Sequence, residues 1–284
     1  MWDIAAGPKI ADDEFESLRN LIRDKCGIYF DDGSRYILEK RLSGRLKDLR
    51  FNSFKEYIFF LKYDKRKEEE FTFIYDVITT NETYFFREDY QLKAFKEEIL
   101  PDIITLKNCD RTIRIWSAGC STGEEPYTIA MIISDMSDLL QNFKVSIFGS
   151  DISHKCLKIA REAIYSQNSF RTTTELQRKK YFDEIEPGKW QVKQHIREYV
   201  SFGQLNLLDR TKMSILPTMD IIFCRNVLIY FDINSRKKVI ENFYDKLIPG
   251  GYLLLGHAES LINISTDFTI KHFKNDMVYM KPKS

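Results

Sequence analysis

The pattern of apolar and polar positions changes character partway along the chain. Up to about residue 80 it follows a helical period. Phe15, Leu18 and Ile22 recur at spacings of three and four, as do Leu38, Leu42, Leu46 and Leu49, and then Phe71, Ile74 and Ile78. Each set therefore shares one helix face. Asp13-x-x-Glu16 and Ser53-x-x-Glu56 have the form of capping boxes, which satisfy the unpaired backbone donors at a helix start. Gly27 and Gly33 punctuate the connections. From about residue 112 the period alternates between strand and helix. The spacing predicts strands over 113–117, 145–150, 200–207, 220–224 and 252–255, with helices over 126–140, 154–163 and 234–247. A terminal hairpin follows, over 268–273 and 277–280, turning at Lys274-Asn275-Asp276. The run over 220–224 is wholly apolar apart from its first residue, as a strand covered on both faces would be. Strands alternating with helices imply a parallel sheet covered by helices. Over 181–202 the alternation breaks. Trp190-Gln-Val-Lys and Tyr199-Val-Ser-Phe read as short antiparallel strands after the turn Glu186-Pro-Gly-Lys189, a small β insertion. The domains expected are thus a helical 1–80 and an α/β 81–284, with the insertion at 181–202.

Candidate chemistry concentrates where the first strand of the α/β half ends. Arg114-Ile-Trp-Ser-Ala-Gly-Cys-Ser-Thr-Gly-Glu-Glu-Pro-Tyr127 runs from an apolar strand through a small-residue turn into a helix. Gly119 and Gly123 let the backbone bend and approach a ligand with no Cβ in the way, and Pro126 suits the first helical turn. A nucleotide-like ligand sits at such a turn in Rossmann-type sheets. No Gly-Lys-Ser/Thr follows, so this is not a P-loop, and the full Gly-x-Gly-x-x-Gly of dinucleotide enzymes is absent. Glu124 and Glu125 would repel a pyrophosphate. A ligand with hydroxyls and an amino group fits better, which favours S-adenosylmethionine over NAD or ATP. Asp151 closes the second strand, where an acid takes hydrogen bonds from ribose hydroxyls. As a simpler alternative it caps the next helix together with Ser153. Glu125 either meets the ligand's amino group or stabilises the helix N-terminus.

Two further segments stand out. Thr79-Thr-Asn-Glu-Thr-Tyr-Phe-Phe-Arg87 joins the halves. Phe85 and Phe86 read as glue between domains, whereas Asn81, Thr83 and Arg87 are polar groups in search of a ligand; a guanidinium holds a carboxylate in a bidentate grip. Phe223-Cys-Arg-Asn-Val-Leu-Ile-Tyr-Phe231 places Arg225 and Asn226 at the carboxyl end of a buried strand, where open α/β sheets bind ligands. His257 follows the last parallel strand and reads as a structural, hydrogen-bonding histidine.

Composition narrows the class. With 284 residues, 43% of them apolar, and a net charge of +1, the chain can bury a large core and lacks the basic excess of a nucleic-acid binder. No run of about 18 apolar residues is present, and the N-terminus has no signal-peptide pattern. Five scattered cysteines, at 26, 109, 120, 156 and 224, read as reduced, mostly buried thiols in a cytoplasmic protein. No metal site is expected.

Taken together, Thr-Thr-Asn-Glu-Thr-x-Phe-Phe-Arg, Trp-Ser-Ala-Gly-Cys-Ser-Thr-Gly-Glu-Glu-Pro-Tyr, Ser-Asp-Ile, Asn-Leu-Leu, Phe-Cys-Arg-Asn-Val-Leu-Ile-Tyr-Phe and Gly-Gly-Tyr-Leu-Leu-Leu-Gly-His resemble the CheR family of chemotaxis-receptor methyltransferases, in order and along nearly the whole chain. The resemblance implies a Rossmann-like methyltransferase domain behind an all-α domain. It also implies methyl transfer from S-adenosylmethionine to glutamate side chains of chemoreceptors, with S-adenosylhomocysteine as product. It carries donor contacts onto Asn81, Thr83, Arg87, Glu125, Asp151, Asn206, Leu207, Arg225 and Asn226, and sets Arg87 and Tyr230 beside the transferred methyl. The helical domain would dock the receptor's cytoplasmic helical domain, and the basic segment carrying Arg41, Arg45, Lys47 and Arg50 suits an acidic partner. Its leucine stripe would face inward and its cations outward. The turn Asp183-Glu-Ile-Glu-Pro-Gly-Lys189 is short and holds one glycine, unlike the glycine-rich loop of members that grip a C-terminal pentapeptide, so an enzyme independent of that tether is expected, acting as a monomer. Position 258 is Ala where the family usually has Ser. A glutamate carboxylate is ionised at neutral pH, with a reference pKa of about 4.3, so its methylation needs no general base. Competing readings are a DNA methyltransferase, which would need a Pro-Pro-Tyr-type motif where Cys224-Arg-Asn-Val227 stands, a small-molecule methyltransferase, and a signalling module that binds the donor without catalysis.

Overall fold

The computed structural model describes residues 8–107 and 110–283. Cys109 and the first seven residues of the N-terminal reading lie outside the described residues. The chain separates into two units. One runs to Thr80 and takes in Tyr230–Ser235; the other holds Asn81–Ile229 and the chain from Arg236 onward.

The first unit is helical, with helices Asp12–Cys26, Arg35–Asp48, Phe54–Tyr63 and Lys67–Ile78. The expected stripes are its core: Phe15, Leu18 and Ile22, then Leu38, Leu42 and Leu46, then Phe71, Ile74 and Ile78 are all buried. The second stripe ends at Leu46, because Leu49 is the C-cap of its helix and only half-buried. Ser53 caps the third helix, accepting the Glu56 N–H at 3.3 Å, while Glu56 reaches back to the Asn52 N–H at 2.9 Å. Asp13-x-x-Glu16 is not the cap of the first helix. That helix starts after Ala11, and Glu14 reaches back to the Ala11 N–H at 2.9 Å. Asp12, Asp13 and Glu14 instead fill its first turn, where acids suit the helix dipole. The segment after Tyr230 joins this unit through an antiparallel bridge between Ile28 and Phe231.

Among the described residues, the second unit contains ten strands: β1 Thr112–Ala118, β2 Lys144–Asp151, β3 Ile164–Ser166, β4 Phe182–Glu186, β5 Lys189–Val192, β6 Val200–Gln204, β7 Met219–Cys224, β8 Leu247–Leu255, β9 Thr269–His272 and β10 Met277–Met280. Seven form one sheet in the order β6-β2-β1-β7-β8-β10-β9. The first five of these are parallel, and β10 runs antiparallel to both of its neighbours. β7 is buried at every position, the signature of a strand sandwiched between helix layers. Trp116 on β1 sits edge-on to Phe243 at 5.2 Å and donates its indole N–H to Ser150 Oγ at 2.9 Å. The chain leaves β1 toward β2 on one side, and β7 lies against β1 on the other. That reversal is the switch point at which open sheets bind ligands, beyond the carboxyl ends of the strands.

Three local expectations shift. The small sheet has the order β3-β5-β4, so it starts at Ile164, and Val200–Gln204 is not part of it. That segment pairs in parallel with β2 as the edge of the main sheet; a short alternating run does not declare its partner. The helix expected over 126–140 begins at Glu124 and breaks at Met136 before a turn at Ser137–Leu140. Pro126 therefore stands third in the helix, still within the turn where a missing N–H is harmless. β8 begins at Leu247 and passes through Pro249-Gly250-Gly251 with a register shift against β7. Among the described residues no helix is long and apolar enough to cross a membrane.

Candidate functional site

The loop after β1 is shaped by its neighbours. Gly119 has φ +77°, and a Cβ there would lie 2.5 Å from Val227 Cγ2. Only glycine accepts both the left-handed backbone and that contact. The Gly119 and Cys120 N–H groups both donate to the Ser150 carbonyl at 2.8 Å. Asp151, buried at 7% exposure, accepts the Ser121 N–H at 2.8 Å on one oxygen and the Ser153 N–H at 2.9 Å on the other. The helix cap falls to Ser153, whose hydroxyl accepts the Cys156 N–H at 3.1 Å. Asp151 is thus tied to the glycine loop, and the capping alternative belongs to its neighbour.

Glu124 and Glu125 open the helix after the loop, and the structure separates them. Glu124 is turned in, taking the Thr122 hydroxyl at 2.6 Å and the Ser169 hydroxyl at 2.9 Å. Glu125 takes the Ser117 hydroxyl at 2.7 Å and pairs with Arg225 at 3.3 Å. Burial raises both carboxyl groups above their ordinary range, and for Glu125 the Arg225 charge pulls the other way.

Arg225 is the hub of this end of the sheet. Its side chain is 3% exposed and also pairs with Glu88 at 2.9 Å while donating to the Arg87 carbonyl at 2.7 Å. The guanidinium fork divides between two carboxylates. Asn226 follows in the left-handed region, at φ +59°. The backbone N–H groups of Asn226, Val227, Ile229 and Gly256 all donate to Glu259, at 2.7, 2.9, 3.3 and 2.7 Å. Asn206 stands two residues beyond β6 and accepts the Leu208 N–H at 3.0 Å; the Leu207 carbonyl accepts from Asn242 at 3.0 Å. His257 is exposed, edge-on to Tyr90 at 6.2 Å.

The segment from Asn81 to Arg87 belongs to this unit. Phe85 is fully buried among Tyr165, Phe170 and Phe182, with centroids 4.8–5.5 Å away. It therefore anchors the segment to its own unit, and the expectation of interdomain glue is corrected. The Phe86 N–H donates to Thr128 Oγ1 at 3.2 Å. Arg87 is half-buried, donating to the Glu82 carbonyl at 3.2 Å, with its guanidinium 5.7 Å from the Tyr84 ring centre. Asn81 is exposed and Thr83 half-buried. Tyr230 falls in the helical unit, where its carbonyl accepts the Tyr29 N–H at 2.9 Å.

The basic segment of the helical unit is less outward than expected. Arg45 turns in to the buried Glu70 at 2.6 Å, a carboxylate that also takes the Tyr57 hydroxyl at 2.6 Å. Arg41 donates to the Ile78 carbonyl. Lys47 and Arg50 are exposed. A buried acid at position 70 demands a cation, which the leucine stripe alone did not reveal. Cys26, Cys120, Cys156 and Cys224 are buried thiols that form no disulfide. Among the described residues no cluster of His, Cys, Asp and Glu is suited to a metal ion.

Sequence reasoning missed Ser117, Glu88 and Glu259. Glu88 directly follows Arg87, and Glu259 lies two residues past His257, so each adjoined a residue already singled out. The site suits a polar nucleoside ligand: Ser121 Oγ and Asn226 Oδ1 are buried with no hydrogen-bond partner in the protein, beyond the ends of neighbouring strands. Arg87, Glu125, Asp151, Arg225 and Asn226 are the residues that would hold it.

Comparison with known proteins agrees with this geometry. Residues 81–277 match the family model described as CheR methyltransferase, SAM binding domain, and residues 13–79 match CheR methyltransferase, all-alpha domain. Chemotaxis protein methyltransferase 2 of Vibrio cholerae serotype O1 is 40% identical over 273 residues, 96% of this chain and 94% of that one. Chemotaxis protein methyltransferase of Borreliella burgdorferi is 39% identical over 255 residues, 89% of each chain. Among solved structures, the N-methyltransferase NodS from Bradyrhizobium japonicum, in complex with S-adenosyl-L-homocysteine, aligns over 73% of this chain and 92% of its own, at 16% identity and a TM-score of 0.39. With both of its domains matched along almost their whole length, the chain belongs to the CheR methyltransferase family and carries that family's S-adenosylmethionine-binding domain.

Proposed function

We propose that the protein methylates glutamate side chains on the cytoplasmic helical domains of chemoreceptors, giving methyl esters, and that it does so without a C-terminal receptor tether. The observation that supports this reading best is coextension: relatives named chemotaxis protein methyltransferase match 96% and 89% of the chain.

The donor supplies an electrophilic methyl group on a sulfonium. Asp151 is assigned to the ribose hydroxyls, since it stands at the carboxyl end of β2 with its carboxylate oriented by the Ser121 and Ser153 N–H groups. Glu125 is assigned to the amino group and Arg87 to a carboxylate, with Asn81, Thr83, Asn206, Leu207, Arg225 and Asn226 completing the contacts. The substrate glutamate is already ionised at neutral pH. The residues around it therefore need only orient it, exclude water and hold it in line. Orientation of this kind can contribute roughly 7–11 kcal/mol.

Tether independence rests on the turn between β4 and β5, Glu186-Pro-Gly-Lys189, which is too short for a glycine-rich binding loop. The test is mass spectrometry of receptor cytoplasmic fragments, prepared with and without their C-terminal tails, after incubation with enzyme and donor. Equal gains of methyl mass on glutamates are expected. Modification of the tailed form alone would remove tether independence, and modification of neither would remove the receptor reading.

A further inference from the structure

Glu259 does something that neither a surface acid nor a helix cap does. Its carboxylate is surrounded by main-chain donors from two different loops. Oε2 takes the Asn226 N–H at 2.7 Å and the Gly256 N–H at 2.7 Å; Oε1 takes the Val227 N–H at 2.9 Å and the Ile229 N–H at 3.3 Å. Residues 226 to 229 follow β7, and Gly256 follows β8, the adjacent parallel strand. A concavity of N–H groups is an anion site. Here the protein fills it with its own glutamate.

The packing leaves little freedom. A Cβ on Gly256 would lie 2.8 Å from Asn226 N, Asn226 Nδ2 and Glu259 Oε2 alike, so the two loops meet with no room for a side chain. Asn226 is held at φ +59°, a conformation that residues other than glycine adopt at some energetic cost. Arg225, one residue earlier, is already fixed by Glu88 and Glu125. Val227, one residue later, is the side chain that presses on Gly119. Whatever holds 226 and 227 therefore also sets the loop after β1.

We propose that Glu259 is a positioning residue for donor binding: seated in this nest of backbone N–H groups, it locks the loop after β7 so that Arg225 and Asn226 face the donor and Val227 supports the glycine loop. The role needs a carboxylate. An amide at this position would turn an N–H₂ toward at least one backbone N–H and leave those donors without their acceptor in a partly buried site. The inference rests on the assignment of Asn226 to the donor.

The experiment measures S-adenosylhomocysteine affinity by calorimetry for the full-length protein and for Glu259→Gln, Glu259→Asp and Asn226→Ala, with a melting curve for each. It also measures KM for the donor and for a receptor fragment. Glu259→Gln is expected to raise the donor Kd and donor KM about tenfold or more, with the KM for the receptor fragment unchanged. Glu259→Asp keeps the charge and should recover most of that affinity. A merely structural glutamate would lower the melting temperature while the folded fraction bound donor normally, and that result overturns the proposal. Should Glu259→Gln fail to fold, the Asp variant decides: a folded protein in which donor affinity falls and receptor KM rises together contradicts the proposed role, and a residual donor defect with the receptor KM unchanged supports it. Normal donor affinity in Asn226→Ala would overturn the donor assignment itself. Weakened affinity in Asn226→Ala beside normal affinity in Glu259→Gln would overturn the positioning role alone.

Discussion

Asp151 accepts the Ser121 N–H at 2.8 Å, so the acid that ends β2 is joined directly to the glycine loop that follows β1. Through its other oxygen it accepts the Ser153 N–H at 2.9 Å. The carboxylate is therefore oriented by two rigid donors before any ligand arrives, and orientation made in advance is not repeated on binding.

Replacing Asp151 with Ala should raise the donor dissociation constant about a hundredfold or more, since two hydrogen bonds to a charged acceptor are each worth roughly 1.5–3 kcal/mol. Calorimetry with S-adenosylhomocysteine measures this. Asp151→Asn keeps the shape but sets an amide group against a backbone N–H, and should also bind weakly. Normal affinity in either variant removes the ribose assignment.

Arg225 lies between Glu88 and Glu125 with only 3% of its side chain exposed. Removing one member of a buried ionic set leaves uncompensated charge, which costs about 3–5 kcal/mol. Arg225→Met should lose that much stability in urea denaturation, and Arg225→Lys should lose less. A change below about 1 kcal/mol for the methionine variant would mean that the two glutamates do not depend on this cation.

Arg87 is held lightly, by the Glu82 carbonyl at 3.2 Å and the Tyr84 ring. Arg87→Ala should change stability by less than about 1 kcal/mol while turnover falls by about tenfold to a hundredfold. Parallel losses of stability and turnover would return Arg87 to the role of a linker residue.

The buried Glu124 gives a pH signature. Burial raises its carboxyl above the ordinary range, against the pull of the Thr122 and Ser169 hydroxyls. A carboxylate raised in the folded state opposes folding once it is ionised, so its penalty is absent below the unfolded value, near 4.3, and grows as pH rises through the higher folded value. Glu124→Gln removes the titration. The variant should gain stability relative to the parent as pH rises from about 4 to neutrality, with the gap closing toward pH 4. A gap that stays constant across that range, read from melting temperatures, would contradict the raised value.

Much of this was legible before the structure. The glycine loop, Asp151 at a strand end and Arg225-Asn226 after a wholly buried strand were local patterns, and local patterns show where the chain turns. The sheet order could not be read, because Val200–Gln204 carries no mark of whether it pairs with β5 or with β2. Ionic partners were hidden for the same reason. Arg45 belongs to a cationic segment, but only the three-dimensional placement of Glu70 turns it inward. Glu88, Ser117 and Glu259 act on groups brought near by folding, at separations of up to 137 residues for the Glu88 pair with Arg225. No spacing rule reaches that far.

The central claim is tested most directly by following a tritiated methyl group from labelled S-adenosylmethionine into receptor cytoplasmic fragments, then treating the product with base. The account predicts label in the receptor fragment that base releases as volatile methanol, with transfer strongly reduced in the Asp151→Ala variant at a donor concentration below its dissociation constant. Label that survives base, or a receptor fragment that stays unlabelled, would contradict it.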